Sequence, residues 1–231
     1  RLRPHVKTHK TLQGARLQLG ADFGPIAVST LAEAHQFAAW GFDDIIYAVP
    51  FVPARARELL SLADQGCRLA IIMDSAEVLE ALQEFGAHHG LVIPVYLKLD
   101  CGYHRAGVQP DDPAGLALAR AMNESSAIEF RGILTHAGHS YSARGEGELL
   151  AVSEAERQVT VDYAQRLEEV GITVPERSIG STPTAAVARN LDGITEIRPG
   201  NYIFYDCFQA AIGSCAPKHV GFSVLTTIIG S

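Results

Sequence analysis

The sequence predicts an α/β protein, a (β/α)8 barrel of the TIM type, on the strength of three observations. Short β-branched runs alternate with segments of helical spacing through most of the 231 residues, the pattern of parallel strands joined by right-handed helical crossovers. No GxGxxG loop follows any of these runs, which weighs against the rival open, doubly wound sheet. The length is close to the ~250 residues that a barrel occupies.

In chain order, strands are expected at HVKTH (5–9), IAVST (26–30), DIIYAVP (44–50), CRLAIIMD (67–74), VYLKLD (95–100), RGILTHAG (131–138) and RSIGS (177–181). An eighth is expected in EIRPGNYIFYD (196–206), and one strand before Arg1 would complete the count. The first helix, TLAEAHQFAAWG (30–41), spaces Leu31, Ala34, Phe37 and Ala38 along one face and stops at Gly41. A second runs over ARARELLSLADQG (54–66). In SAEVLEALQEFGAHHG (75–90), Ser75 caps the helix, Glu77 and Glu80 follow early, and Val78, Leu79, Leu82 and Phe85 form the apolar stripe. The helix SEAERQVTVDYAQRLEEVG (153–171) ends on glycine. The preceding SYSARGEGELLAVS (140–153) reads as a polar loop. The alternating SVLTTIIGS (223–231) reads as a strand that begins something new. The expected division is therefore a barrel over 1–206, then a connection and the first strand of a C-terminal β-domain over 207–231. With Arg1 in first place and no signal-peptide pattern, the sequence reads as an internal portion of a longer protein.

Composition removes several function classes. Hydrophobic residues make up 47% and the net charge is −7, so disorder is excluded and a nucleic-acid backbone is a poor partner. No apolar run reaches the ~18 residues of a membrane-spanning helix. Cys67, Cys101, Cys207 and Cys215 are scattered without CxxC spacing, which fits free thiols in a reducing compartment and a cytoplasmic protein.

Barrel sites sit at the C-terminal ends of the strands, where five segments carry polar side chains. RPHVKTHK (3–10) is costly to bury without a partner. On a strand, Lys7 would share a face with His5 and His9, and a lysine among cations has a lowered pKa and serves as an amine nucleophile; a solvated basic edge is the alternative. In LKLDCGYHRAGV (97–108), Gly102 permits a turn that exposes Tyr103, His104 and Arg105, although a plain surface loop has the same look. In ILTHAGHSY (133–141), His136 ends a buried strand and Tyr141 lies in the loop beyond. GSTPT (180–184) puts Ser181 and Thr182 at a strand end with Pro183 suited to a helix first turn, and RPGNY (198–202) offers Gly200 and Asn201 to a close ligand. A helix cap is the simple reading of GSTPT; with a site lysine, the two segments suggest a phosphorylated carbonyl cofactor, pyridoxal 5′-phosphate.

RPHVKTHKT resembles the cofactor-lysine motif of the D-serine dehydratase and D-threonine aldolase group, fold-type III pyridoxal-phosphate enzymes with an alanine-racemase-like barrel. VSTLAEA, DIIYAVP, DCGYHRAGV, THAGHSY, GSTPT and EIRPGNYIFYD have counterparts in the same order, so the resemblance covers essentially the whole chain. KTHKT followed by LQG, with DIIYAVP, looks more like the dehydratase branch. The resemblance implies that Lys7 carries the cofactor, Arg105 contacts its phenolic oxygen, His136 lies against the ring and Tyr141 reaches the pyridine nitrogen. Ser181 or Thr182, Gly200 and Asn201 would bind the phosphate, and Arg198 matches the position that faces the ring nitrogen in alanine racemases. It also implies a lyase acting on β-hydroxy-D-amino acids, D-serine to pyruvate and ammonia first, as a homodimer. A D-threonine or 3-hydroxy-D-aspartate aldolase and a non-catalytic pyridoxal-phosphate carrier are the alternatives. Family members hold a divalent metal, zinc or manganese, in their C-terminal β-domain through a histidine followed two residues later by cysteine or aspartate. No metal ligand is assigned in this chain; His88, His89 and His139 read as solvated.

Overall fold

The computed structural model describes residues 1–230. Its centre is a parallel sheet of β1 (Ile26–Val28), β2 (Asp44–Pro50), β3 (Arg68–Met73), β4 (Ile93–Lys98), β5 (Ile128–Leu134), β6 (Glu176–Ile179) and β7 (Glu196–Ile197) in sequential order. The ring is closed by the chain start. Leu2 bridges to Ile197 and His5 to Ala27, both parallel. The Arg3 N–H donates to the Ile197 carbonyl (2.9 Å), and the Ala27 N–H to the Pro4 carbonyl (3.0 Å). Residues 2–5 thus fill the stave that the sequence placed before Arg1. Pro4, lacking an N–H, keeps this stave from forming a regular ladder.

The expected strand at 5–9 does not form. Val6–Thr8 is a 3-10 turn, capped by His5 as the Lys7 N–H donates to its Nδ1 (3.5 Å). His9 turns to Gln18 (2.8 Å), and its Nδ1 accepts the Thr11 N–H (3.1 Å), so the three side chains share no strand face. Local side-chain bonds of this kind compete with a ladder.

The helices are α1 (Leu12–Leu19), α2 (Leu31–Ala39), α3 (Arg57–Asp64), α4 (Ala76–His89), α5 (Pro113–Glu124), α6 (Glu146–Glu169), α7 (Thr182–Val187) and α8 (Cys207–Ala211). Thr11, Thr30, Ser75 and Asp112 cap α1, α2, α4 and α5 through their side chains. The sequence reading lacked α1 and α5, although Asp112–Pro113 is a helix-start signature. Gly14 inside α1 is a packing requirement, because an added Cβ would stand 2.3 Å from the His9 ring. The expected loop at 140–153 is largely helix: α6 starts at Glu146, with Glu146 and Glu148 in its first turn and Leu149 buried. The expected eighth strand shrinks to Glu196–Ile197, since Pro199 has no N–H to continue the ladder and Asn201–Ile203 is a 3-10 turn. Residues 220–230 form no strand, and Val224, Leu225, Ile228 and Ile229 are exposed, with no strand among the described residues beside them to complete a ladder. Ser231, the last residue of that expected strand, lies outside the described residues.

Alternation along the strands divides the core. Ala27, Ile46, Ala70, Ile72, Tyr96 and Leu134 fill the ring. Ile45, Ile71, Val95 and Leu97 face outward into a larger cluster with Phe37, Leu62, Met122 and Leu167 of the helices. At the strands' N-terminal end the filling is ionic: Arg3 pairs with Glu196 and Asp44 (both 2.7 Å), Arg1 pairs with Glu196 (2.7 Å), and the Tyr96 hydroxyl donates to Glu176 (2.7 Å). No helix among the described residues is long and apolar enough to cross a membrane.

Candidate active site

At the opposite end a cleft opens over the C-terminal ends of the strands, where the sites of barrels sit. Lys7, Arg105, His136, Tyr141, Ser181, Thr182, Gly200 and Asn201, far apart in sequence, all line it. His5, Lys98 and Arg198 line it as well, and among the described residues no carboxylate does.

Lys7 projects into the cleft from the 3-10 turn that follows the closing stave. Its amine is held below the ordinary lysine value by loss of water on the cleft wall, then by the charges of Arg105 and Lys10, with Glu33 opposing. His5 is pushed well below the usual histidine value by burial, then by Lys7, Arg198 and His136. His136 follows β5, and its Nδ1–H donates to the Gly180 carbonyl (3.1 Å). A carbonyl only accepts, so Nδ1 carries the proton and Nε2 a lone pair. Burial, with the charges of Arg198, Arg105 and Lys98, brings the His136 pKa down to about 3 against that hydrogen bond, so the ring is neutral.

The loop bearing Arg105 is held by Asp100. One carboxylate oxygen accepts the N–H groups of Gly102 (2.9 Å), Tyr103 (3.0 Å) and His104 (3.1 Å). The other accepts from His104 Nδ1 (3.0 Å) and Gln109 (2.8 Å). Burial works to raise the Asp100 pKa, but these donors prevail and lower it to about 2. Gly102, at φ 109°, makes the turn, as its place in the sequence suggested.

Ser181 caps α7, its hydroxyl accepting the Thr184 N–H (3.3 Å) and meeting the Ser140 hydroxyl (2.9 Å). Thr182 Oγ1 accepts the N–H groups of Gly200 (3.1 Å) and Asn201 (2.9 Å), so GSTPT and RPGNY form one cradle. Glycine at 200 is imposed by the closing stave: an added Cβ would stand 2.8 Å from the His5 carbonyl oxygen. Tyr141 lies beside this cradle. Burial, then Asp206, raises its hydroxyl above the usual tyrosine value, while the Thr182 N–H pulls the other way.

Sequence reasoning passed over two groups. Lys98 ends β4 two residues after Tyr96 and so points into the ring. It is buried and donates to the Leu99 carbonyl (2.8 Å), and burial lowers its pKa to about 8; period-2 alternation was the available signal. Glu156 of α6 is buried and accepts from the Thr135 hydroxyl, the Ala137 N–H and the Gly180 N–H (3.0, 3.0 and 3.1 Å) and from the Thr184 hydroxyl (3.2 Å). It ties the ends of β5, β6 and α7 together. Its signal was an acid on the buried stripe of Leu149, Ser153, Thr160 and Leu167.

An amine, several cations, hydroxyls and backbone donors, with no carboxylate, form a donor set that fits an anionic carbonyl compound bearing a phosphate. A family model described as alanine racemase, N-terminal domain, matches residues 1–207. The chain belongs to that family. Among its alanine-racemase-like relatives, the D-threo-3-hydroxyaspartate dehydratase of Delftia sp. (strain HT23) is 44% identical over 231 residues, covering 100% of this chain and 60% of that protein. Its solved structure superposes with a TM-score of 0.91 at 42% identity over 96% of this chain and 58% of that one, and a structure of a single-cysteine mutant of it is described as a metal-free form. The D-serine dehydratase of Dictyostelium discoideum is 35% identical over 99% of this chain and 62% of that protein. An alanine-racemase-like protein from Idiomarina loihiensis superposes with a TM-score of 0.93 at 36% identity, over 99% of this chain and 60% of that one. The relatives are those of the D-serine dehydratase and D-threonine aldolase group read from the motifs, and the fold is the alanine-racemase-like barrel. The chain spans about 60% of the length of these curated relatives.

Proposed function

We propose that the protein is a pyridoxal-phosphate-dependent lyase that dehydrates β-hydroxy-D-amino acids, with D-serine, giving pyruvate and ammonia, as the first substrate to test. The observation that carries this reading is the meeting of Lys7 with the seven other motif residues in one cleft, and the dehydratase relatives support it. Lys7 Nζ would hold the cofactor's carbonyl carbon and Arg105 its phenolic oxygen. The neutral His136 ring would lie against the pyridine ring without competing for a proton. Thr182, Ser181 and the Gly200 and Asn201 N–H groups would surround the phosphate. Tyr141 stands beside the Thr182 N–H, which favours the phosphate end over the ring nitrogen for its hydroxyl. Bound there, pyridoxal phosphate would supply the electron sink for charge developing at Cα. Once the substrate amine has taken its place on the cofactor, Lys7 would be free to serve as the base for the Cα proton, and burial and Arg105 lower the proton affinity of its Nζ.

A divalent metal, zinc or manganese, belongs to the same reading. Among the described residues no group of three or more His, Cys, Asp or Glu side chains is placed to hold one, and none of them is given that role. A homodimer, a cytoplasmic location and a boundary near residue 206 also remain parts of the proposal. The test is an assay of the full-length protein for pyruvate from D-serine, oxaloacetate from D-threo-3-hydroxyaspartate and glycine from D-threonine, with and without chelator. Ammonia with a 2-oxo acid is expected, and lost on chelation. Glycine plus aldehyde as the main products would overturn the dehydratase reading, and no turnover of any of the three by cofactor-loaded protein would favour a carrier.

A further inference from the structure

Tyr103, which the functional reading leaves without a role, lies between the two groups expected to touch the cofactor ring. Its N–H is fixed to Asp100, and its ring rests on the backbone of Gly138, where an added Cβ would stand 2.2 Å from the ring edge. The His136 ring meets it edge-on, with centroids 6.3 Å apart and planes at 76°. The Arg105 guanidinium lies over its face, 4.9 Å from the centroid. Among the described residues Arg105 has no carboxylate partner within salt-bridge distance. The face of Tyr103 is thus the contact on which the guanidinium rests.

We propose that Tyr103 is a positioning residue that keeps the Arg105 guanidinium aimed into the cleft, toward Lys7 and the phenolic edge of the cofactor, through a cation–π contact seated on Gly138. The part concerning the cofactor rests on the pyridoxal-phosphate reading. The part concerning Lys7 does not. A flexible arginine on an exposed loop loses rotamer freedom when it binds an anion; an aromatic face that already orders it removes part of that cost. The phenol hydroxyl plays no part in this, so phenylalanine should serve and an aliphatic residue should not.

The test uses full-length protein carrying Tyr103→Phe, Tyr103→Leu, Gly138→Ala, Arg105→Leu and the double variant Tyr103→Leu/Arg105→Leu. Circular dichroism and melting temperature report folding. Pyridoxal phosphate affinity is read from absorbance titration. The expected loss for Tyr103→Leu is roughly five- to thirty-fold, the range that one partly desolvated cation–π contact represents. Tyr103→Phe retains affinity, Gly138→Ala follows Tyr103→Leu by displacing the ring, and Tyr103→Leu adds nothing in the Arg105→Leu background. The second readout needs no cofactor: the apparent pKa of Lys7, from pH-dependent amine labelling read by mass spectrometry. Arg105, Lys10, His5 and Glu33 face Lys7. Releasing Arg105 by Tyr103→Leu should raise the Lys7 value while Tyr103→Phe leaves it in place. Equal effects of Phe and Leu, full additivity with Arg105→Leu, or an unmoved Lys7 pKa in Tyr103→Leu would overturn the proposal. Wild-type protein that binds no pyridoxal phosphate would sink the functional reading instead, and the Lys7 titration would still decide the role of Tyr103.

Discussion

The two ends of the barrel handle positive charge in opposite ways. At the N-terminal end Arg3 is fully buried between Glu196 and Asp44, Arg1 bridges Glu196 and Glu176, and Arg131 pairs with Glu176. At the C-terminal end Lys7, Lys98, Arg105 and Arg198 line a cleft that, among the described residues, no carboxylate lines. The difference teaches what each end is for. A charge inside a protein is tolerated where a counter-charge accompanies it, and cations gathered without one lower each other's proton affinity and await an anion. The paired end closes the ring around the chain start, and the unpaired end forms the cleft.

The largest expected effect separates the ends most sharply. On the proposed function, Lys7→Ala should lower turnover by the full-length protein by on the order of 10²–10⁴-fold, the usual contribution of a general base, and leave no site for borohydride to fix pyridoxal phosphate. Its denaturation midpoint should stay at or above that of the wild type, since an unpaired cation is removed from the cleft. Reduced label recovered on Lys10 or Lys98 of the wild type would break the assignment of Lys7.

Glu196→Ala should do the reverse. It removes the buried partner of Arg3 and leaves only the half-exposed Asp44; removing one partner of a buried pair costs about 3–5 kcal/mol, with Asp44 holding this loss toward the lower end, measured by urea denaturation. Cofactor affinity of the fraction that remains folded should be close to that of the wild type. A loss under ~1 kcal/mol would mean that the ring does not depend on its ionic end.

The smallest effect is a pH slope. The neutral His136 ring keeps its pKa near 3 in the folded protein, against about 6.5 in an unfolded chain. Its folded value is depressed, so its stabilising contribution is complete above pH 6.5 and is lost as pH falls toward 3. Between these values the unfolded chain binds a proton that the cleft refuses, which amounts to about 2 kcal/mol at pH 5. His136→Gln should flatten that part of the stability profile in cofactor-free protein. An unchanged slope would show that the ring takes up its proton in place.

The site was more legible in the sequence than the ring that carries it. DCGYHR, GSTPT and THAGHSY each place polar groups at a strand end through purely local signals: a glycine where φ is 109°, a cap followed by proline, a histidine closing an apolar run. The ring's closure had no such signal. RPHVKTH looked like a strand because its residues alternate, yet only residues 2–5 pair with neighbours, and the partners lie about 20 residues away on one side and 195 on the other. Glu156 and Lys98 had local signals, a buried helix stripe and strand alternation, but what each does depends on groups brought in from other elements.

By itself the sequence determined the alternation of strand and helix, the helix caps at Thr30 and Ser75, and the polar segments that stand at the strand ends. These follow from backbone propensity, side-chain period and local hydrogen bonding, which act over a few residues. Tertiary structure alone decided that residues 2–5 close the ring and that Val6–Thr8 turns Lys7 into the cleft. It also decided that Gly200 must be glycine because the His5 backbone crosses it, and that His136 stays neutral. Each of these depends on what is packed around the residue, because steric exclusion and desolvation arise only when distant segments meet.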